Sequence, residues 1–331
     1  MRTAPSIAVL ALLAPLALGL VGCSGETTEE ESGLTPEAAE ESADALLARS
    51  GVEDFEAEEL TMDGVDDGSE PQVELEPAQV GTQDIVSDTT SSLGRGTWGF
   101  RFVVLPRSGP QRVISTRNET RQLYGASTFK LFTGWTGFTT ASTAKSTLTV
   151  MLRRSDNALA NLALCQAGEK LGRYDAPCRA VASAPSSMRL PTAIGATKTY
   201  LGGRGVAFSS SFRMADGSGL SASNRLTVRD LTSLLADIHT DAKGGEFKRM
   251  LAQPGVSSTL ASRFSGLQGR LFAKTGTYVN TGGGVRALAG FVELRSGGTM
   301  VFAVVGNGVG DPGAAMNRIE AAVRKNLALA E

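Results

Sequence analysis

Three short segments of the chain hold residues that can carry out nucleophilic catalysis. A Ser-x-x-Lys pair stands at Ser127 and Lys130, a Ser-Asp-Asn triplet at Ser155–Asn157, and a Lys-Thr-Gly-Thr run at Lys274–Thr277. A serine hydroxyl is a weak nucleophile until a neighbouring base takes its proton, and a lysine made neutral by burial can serve as that base. Because His239 is the only histidine in the chain, we expect lysine to replace it in this role.

The Ser-x-x-Lys pattern occurs twice, and position along the chain separates the two copies. Ser127 follows a loop and starts an apolar stretch, where the first N–H groups of a helix stabilise a developing negative charge. Lys130 lies one helical turn further, on the same face. The second copy, Ser142 with Lys145, begins only 13 residues before Ser155. The intervening stretch is predicted to be helical, so Ser142 is badly placed to face Ser155 and is interpreted as a solvated helix start.

The elements that must position these motifs alternate between strand-like and helix-like patterns. Strands are predicted at Trp98–Leu105, Arg112–Thr116, Gly269–Lys274, Arg286–Leu294 and Thr299–Val305. Helices are predicted at Ser127–Phe138, Ser146–Leu152, Ala158–Leu164, Thr227–Ile238 and about Ala314–Leu329. This order predicts an α+β fold in which the early hairpin and the late strands form one antiparallel sheet of about five strands, with a helical subdomain.

In this order, the three motifs resemble those of the penicillin-recognising serine hydrolases, the family of D-Ala-D-Ala peptidases and class A β-lactamases. Ser-x-Asn and Lys-Thr-Gly each occur once in the chain. The segments Met151–Asn157, Asp216–Ser221 and Gly269–Thr277 look like the S13-type D-Ala-D-Ala carboxypeptidases. The resemblance covers roughly residues 95–325 and is densest from residue 151 onward. It implies a β-lactamase/transpeptidase-like fold and a serine-type carboxypeptidase that acts on peptidoglycan stem peptides.

The resemblance also implies a role for the residues of the first two motifs. Ser127 would be the nucleophile that becomes acylated, and Lys130 its base. Ser155 would pass a proton to the departing D-alanine, and Asn157 would hold the amide of the substrate. The backbone N–H groups of Ser127 and Thr277 would form the oxyanion hole, as fixed donors aimed where charge develops.

In the third motif, the resemblance implies that Lys274 adds positive potential beside the substrate carboxylate. Thr275 and Thr277 would offer their hydroxyls to the same carboxylate, and Gly276 would leave the strand edge clear for an extended substrate. Asp216 has two interpretations, either support behind the reacting groups or a plain turn. β-Lactams are expected as covalent inhibitors, and no cofactor or metal ion is expected.

Two departures from the family pattern affect the expected activity. Ser127 and Ser155 are only 28 residues apart, so the long inserted domains that S13-type enzymes carry between them are missing. This puts in doubt any dimerisation or endopeptidase role of those domains. The Glu-x-x-x-Asn loop of class A β-lactamases is also absent, because Glu169 is followed four residues later by Arg173. Penicillin should therefore acylate Ser127 and leave slowly. A β-lactamase and a non-catalytic β-lactam- or wall-binding lipoprotein remain alternatives.

The N-terminal residues predict export to the bacterial envelope. Ile7–Val21 is an apolar run of 15 residues, about right for a signal-peptide core and too short to span a bilayer comfortably. It ends in Leu-Val-Gly-Cys at Cys23, which resembles the lipobox of bacterial lipoproteins, although a plain secretory signal is the alternative. The resemblance implies lipid anchoring through Cys23 on the periplasmic side. Because Ser24 follows, the outer membrane is favoured in a Gram-negative cell.

Charge divides the rest of the chain into an acidic arm and a basic body. Residues 24–76 contain 19 acidic residues and one basic residue, Arg49, whereas residues 77–331 contain 15 acidic and 30 basic residues. The predicted organisation is therefore a signal peptide at 1–23, an acidic disordered tether at 24–90 and a peptidase domain at 91–331. The basic body suits an anionic wall polymer. Nucleic acid would also suit the charge but not the signal peptide, and it is set aside.

Cys165 and Cys178 have two interpretations. An oxidising compartment permits a disulfide between them, but they could equally be two buried free thiols. Three scattered cysteines and one histidine argue against a zinc site, and the absence of a P-loop argues against a nucleotide hydrolase.

Overall fold

A computed structural model describes residues 80–173, 175, 178, 190–279 and 283–331, which fall within one compact unit of the chain. The lipobox with Cys23 and residues 24–79 of the predicted tether lie outside the described residues. Within the described ranges, no helix has both the length and the apolar character that crossing a bilayer requires.

The sheet has five antiparallel strands in the order β2-β1-β5-β4-β3. They are β1 Thr97–Leu105, β2 Arg112–Arg117, β3 Leu271–Tyr278, β4 Val285–Glu293 and β5 Thr299–Asn307. β1 pairs with β5 along its whole length, so the early hairpin and the late strands form one sheet, as predicted. β3 continues beyond the predicted end at Lys274, because Thr275, Gly276 and Thr277 stay paired with β4. Cross-strand pairing outweighs the low strand propensity of glycine here.

The helices form in the gaps between these strands. They are α1 Val80–Leu93, α2 Lys130–Thr139, α3 Lys145–Arg154, α4 Asn157–Lys170, α5 Pro191–Gly203, α6 Val228–Thr240, α7 Gly244–Met250 and α8 Pro312–Ala330. Helix α6 begins with a capping pair: the Thr227 hydroxyl accepts the N–H of Asp230, whose carboxylate accepts the N–H of Thr227. The sequence did not predict α1, α5 or α7.

Helix α1 moves the start of the folded body towards the N-terminus. It covers residues that the charge pattern assigned to the disordered tether, and it packs on α8. Thr89 and Leu93 are fully buried. The amide of Asn326 donates to the Thr89 hydroxyl at 3.3 Å, and Lys325 forms an ion pair with Asp88. A net acidic stretch can thus fold where a tertiary partner supplies a matching surface, which composition does not reveal.

Apart from the edge strand β2, the sheet is mostly buried on both faces, which explains why its other strands are nearly continuous apolar runs. On β5, Met300, Phe302 and Val304 belong to the core that includes α8. The alternate residues, which point to the other face of the strand, are buried as well. On that face, α6 contacts β5 and β1. The middle of the chain therefore forms a helical layer beside the sheet, and the three motifs meet where the two adjoin.

Candidate active site

Ser127 lies in a 3-10 turn, Ala126–Phe129, that runs directly into α2. The turn is attached to the sheet by Asn307 at the end of β5. The Asn307 side chain accepts the N–H of Tyr124 and donates to its carbonyl, both at 2.9 Å. The half-buried Ser127 is thereby held at the start of a helix, as predicted, with the difference that its own turn is 3-10 rather than α.

Lys130 is fully buried beside Ser127. Its Nζ donates to Ser127 Oγ at 2.9 Å, to Asn157 Oδ1 at 2.7 Å and to the carbonyl of Ser218 at 2.7 Å. Burial lowers the pKa of Lys130 to about 7, against the opposing effect of Asp216 and Asp156. At this pKa about half of the Lys130 amine is neutral at pH 7, and the neutral share grows as the pH rises. Its lone pair can then accept the Ser127 proton while the two remaining N–H groups keep their partners.

Ser155 and Asn157 stand in the break between α3 and α4. Ser155 is in the left-handed conformation with φ of 66°, which ends α3 and reverses the chain. Asp156 then caps α4 by accepting the N–H of Leu159 at 2.8 Å. Because α2 packs against α4, Asn157 at the start of α4 meets Lys130 at the start of α2.

Lys274 connects the sheet to this break. It is fully buried on β3, and its Nζ donates to Ser155 Oγ at 2.7 Å and to the carbonyl of Thr275 at 2.8 Å. Burial, together with the nearby cations Lys130 and Arg286, holds the pKa of Lys274 well below its usual value. The structure thus brings together Ser127, Lys130, Asn157, Ser155 and Lys274, all of which the motifs singled out.

The two threonines of the third motif have partners that the sequence did not reveal. Thr275 donates to the hydroxyl of Thr259 at 2.9 Å, and the guanidinium of Arg286 donates to the Thr277 hydroxyl. Thr259 lies in the loop between α7 and β3, and Arg286 lies opposite Thr277 on β4. Neither belongs to a motif, and only the strand register of β4 could have suggested Arg286.

Gly276 allows β3 to approach the turn that carries Ser127. A Cβ at this position would lie 2.6 Å from the carbonyl oxygen of Gly125, so a side chain would push the strand and the turn apart. Beyond a bridge between Ala273 and Ala252, no strand of the described residues pairs with the outer edge of β3. That Gly276 also leaves this edge clear for substrate stays a prediction.

Asp216 organises the loop that faces Lys130. It is fully buried and accepts hydrogen bonds of 2.6–3.2 Å from Gly219 N, Ser221 N, Asn224 Nδ2 and Ser218 Oγ. The carbonyl of Ser218 in the same loop accepts from Lys130. Asp216 therefore closes a turn, and that turn presents the carbonyl to which Lys130 donates. Its role as support behind the reacting groups stays a prediction.

The remaining candidates of the sequence lie away from these contacts. Ser142 bonds to Thr140 at 2.9 Å and Lys145 pairs with Glu246. Ala144, rather than Ser142, precedes the first residue of α3. Cys165 on α4 is joined to Cys178 in a disulfide, which decides between the two interpretations of these cysteines.

The family profile of "D-Ala-D-Ala carboxypeptidase 3 (S13)" matches residues 139–328. This is more than half of the chain, and the chain therefore belongs to the S13 family. The matched region contains the second and third motifs but begins after Lys130, so the first motif is supported by the geometry above. A curated relative, carboxypeptidase DacB of Mycolicibacterium smegmatis, is 33% identical over 171 residues, which cover 49% of this chain and 33% of that protein. The match thus spans about a third of the length of the relative.

Solved structures show the same fold at low identity. A variant of the TLA-1 extended-spectrum β-lactamase is 12% identical with a TM-score of 0.55, covering 75% of this chain and 98% of that one. A mutant of PBP-A, described as an acyl-enzyme complex with penicillin G, is 16% identical with a TM-score of 0.51, covering 75% and 94%. The predicted β-lactamase/transpeptidase-like α+β fold is confirmed.

Proposed function

We propose that this chain is a serine-type D-alanyl-D-alanine carboxypeptidase that cleaves peptidoglycan stem peptides through an acyl-enzyme on Ser127. The observation that carries the proposal is the position of Lys130 Nζ, 2.9 Å from Ser127 Oγ. A serine at a helix start is an activated nucleophile when a buried amine with a pKa lowered to about 7 lies beside it as its base. Membership in the S13 family supports the choice of substrate.

In the proposed acylation, the contacts of the site act one after another. The neutral amine of Lys130 takes the Ser127 proton as Oγ attacks the carbonyl of the penultimate D-alanine. The N–H groups of Ser127 and Thr277 hold the developing oxyanion. When the C–N bond breaks, Ser155 gives its hydroxyl proton to the departing amine. The proton that Lys130 took from Ser127 then replaces the one that Ser155 has lost. Lys274, 2.7 Å from Ser155 Oγ, keeps that hydroxyl in place.

Deacylation releases the shortened stem peptide and restores Ser127. The terminal D-alanine leaves the cleft, water replaces it, and Lys130 takes a proton from that water as it attacks the ester. An opened penicillin stays in one piece on the serine, so its amine continues to occupy the path of the water. Glu169, the nearest candidate for the water-activating glutamate of class A β-lactamases, instead accepts the N–H of Cys178 at 3.1 Å.

The cellular setting of the proposal follows from the substrate. Peptidoglycan lies in the bacterial envelope, and a lipid anchor at Cys23 would hold the enzyme on the periplasmic side of a membrane. The outer membrane is favoured if the cell is Gram-negative. The basic body carries the charge that suits an anionic wall polymer. The acidic residues 24–79 would act as the tether between the anchor and the catalytic body.

The proposal predicts two results for the purified chain. A peptide ending in D-Ala-D-Ala should lose its terminal D-alanine catalytically, measured as free D-alanine. Benzylpenicillin should give one stable adduct, measured by intact-mass spectrometry over hours. Rapid consumption of the drug without a lasting adduct would instead show a β-lactamase. Intact drug, unmodified protein and no D-alanine would show a non-catalytic binding protein.

The close contact between Gly219 and the Ser127 turn predicts a specific mutational effect. Gly219 has φ of +85°, and a Cβ there would lie 2.0 Å from the carbonyl oxygen of Ala126. Gly205 has φ of +95° with open space around it. Gly205→Ala should therefore cost only the backbone strain, about 1 kcal/mol of unfolding free energy. Gly219→Ala adds a steric clash, and we expect a total of about 2–5 kcal/mol together with slower penicillin uptake.

The comparison is made by urea unfolding and by the rate of penicillin uptake. Equal losses of stability in the two variants, with uptake unchanged in both, would contradict the proposed contact between the Asp216 loop and the turn that carries Ser127.

A further inference from the structure

Tyr124 joins three parts of the site, although it belongs to no motif. Its backbone N–H and carbonyl bond to the side chain of Asn307 at the end of β5. Its ring packs edge-on against the ring of Tyr278 at the end of β3, with 5.4 Å between the ring centroids. Its hydroxyl lies 2.8 Å from the carbonyl oxygen of Gly219 and 2.9 Å from that of Leu220, and it can donate to either. Tyr124 therefore connects the turn that carries the nucleophile to two strands and to the loop that faces the base.

The hydroxyl of Tyr124 is a donor throughout the neutral pH range. The side chain is buried between the turn, the loop and β3, and only 5% of the residue is exposed. Burial and the nearby carboxylate of Asp216 hold the pKa of Tyr124 well above the usual value of a phenol, against the opposing effect of Arg225. The phenol therefore keeps its proton, and that proton stays available to the two carbonyl groups.

Ser218 lies between two glycines, and the loop needs contacts from outside to hold it in one conformation. Glycine can adopt more backbone conformations than any other residue. The carbonyl of Gly217 accepts the Thr133 hydroxyl on α2 at 2.8 Å. On the other side of Ser218, the carbonyl of Gly219 accepts the Tyr124 hydroxyl. The peptide groups on both sides of Ser218 are thereby fixed.

The carbonyl of Ser218 sets the direction in which the base points. It accepts from Lys130 Nζ at 2.7 Å, and Asn157 Oδ1 accepts from the same Nζ at 2.7 Å. A neutral amine has two N–H groups and one lone pair. When these two acceptors take both N–H groups, the lone pair is left for the third neighbour, Ser127 Oγ at 2.9 Å. A displaced Ser218 carbonyl would let the amine turn away from this direction.

From these contacts we propose that Tyr124 is a positioning residue, whose hydroxyl fixes the loop from which the Ser218 carbonyl orients Lys130. The inference rests on the proposed function and adds to it a group that acts through the base. Loss of the hydroxyl should leave the reacting groups in place but aim the base less often at the nucleophile.

The pH profile of acylation distinguishes this role from a purely structural one. A carbonyl that accepts from Lys130 favours the ammonium form, so a less well placed Ser218 carbonyl should lower the pKa of Lys130 further. In the described part of the chain, the charged groups that face Lys130 are Asp216, Asp156 and Lys274. Removal of the Tyr124 hydroxyl leaves these charges unchanged, so a shift of the profile reports on the carbonyl.

The test compares Y124F with Y200F. Y124F keeps the ring and the backbone bonds to Asn307, so the fold should be preserved. Tyr200 on α5, where its ring faces Arg204, loses the same hydroxyl and is the matched control. We expect Y124F to lower the rate of acylation by benzylpenicillin on the alkaline plateau roughly 3- to 10-fold, as for the loss of a hydrogen bond between neutral groups. It should lower kcat/KM for D-alanine release by a similar factor and shift the step in the pH profile to lower pH. Y200F should change none of these.

A double mutant tests whether Tyr124 acts through Lys130. In the K130M background, Y124F should not lower the residual acylation rate further, because residues that act as a unit give non-additive losses. An equal loss in both backgrounds would overturn the positioning role. The same holds if Y124F lowers only the urea midpoint of unfolding and keeps the rate and the pH profile of wild type.

The two readouts separate this inference from the proposed function. If wild type takes up penicillin but releases no D-alanine, and Y124F changes the uptake as expected, the role of Tyr124 stands and the carboxypeptidase proposal fails. If wild type releases D-alanine and Y124F matches it in rate and pH profile, the proposed function stands and the inference is overturned. If wild type reacts with neither peptide nor penicillin, both are overturned.

Discussion

Ser127→Ala is expected to abolish both penicillin uptake and D-alanine release. Without the hydroxyl, no ester can form, and the rate should fall by a factor of about 10⁴ or more, as when an enzyme loses its nucleophile. The measurement is intact mass after incubation with benzylpenicillin, alongside a D-alanine assay. Folding should be preserved, because Ser127 is only half-buried and alanine leaves the backbone of the turn intact.

The second Ser-x-x-Lys of the chain provides the matched control. Ser142→Ala removes a hydroxyl from the same sequence pattern, but Ser142 bonds to Thr140 and Lys145 is largely exposed. We expect this variant to take up one penicillin as wild type does. An adduct that persists in Ser127→Ala and disappears in Ser142→Ala would show that the nucleophile was assigned to the wrong copy.

Replacement of Lys130 is expected to slow acylation without unfolding the protein. Lys130→Met keeps most of the side-chain volume but leaves Asn157 Oδ1 and the carbonyl of Ser218 without their donor, so we expect it to lower the unfolding free energy by about 1–3 kcal/mol. The loss of the base should lower the acylation rate by a factor of about 10²–10⁴. The measurement is the second-order rate of penicillin uptake, with thermal unfolding as the check on the fold. A variant that acylates at the wild-type rate would exclude Lys130 as the base.

The pH dependence of wild-type acylation tests the same residue. Burial disfavours the ammonium form and lowers the pKa of Lys130 to about 7. Below that pH the amine is protonated and has no lone pair, so the rate should fall about tenfold per pH unit. Above it the rate should level off. Asp156→Asn keeps an N-capping oxygen and removes a carboxylate that raises this pKa, so its profile should shift to lower pH. A profile without a step near pH 7 would contradict the assignment.

Much of the architecture could be predicted from local patterns. Every predicted strand and helix that the described residues cover is present, because each has an apolar period or a cap of its own. The bounds of β3 differ because its last residues, Thr275–Tyr278, are held by pairing with β4 and not by their own propensity. Helices α1 and α5 were missed because their residues lack a clear apolar face and depend on the surfaces that they cover.

The motif residues themselves, and the chemistry that they can perform, were determined by the sequence. Each motif can be recognised from a few neighbouring residues: a serine and a lysine at helical spacing, a Ser-Asp-Asn triplet between helices, and a Lys-Thr-Gly run on a strand. Membership in the S13 family, now shown, could be recognised from the same short segments. Because these features are contiguous in the amino-acid sequence, they can be found without the tertiary structure.

Only the tertiary structure decided which groups complete the site. Lys130 meets the carbonyl of Ser218 across 88 residues of chain, and Lys274 meets Ser155 across 119. Arg286 and Thr259 belong to no motif. The same holds for Asn307, whose side chain bonds to the backbone of Tyr124 just before the turn that carries Ser127. The physical reason is that the packing of strands and helices creates these contacts. It brings distant residues together, buries both lysines and thereby lowers their pKa values, and none of this is visible in the spacing of residues along the chain.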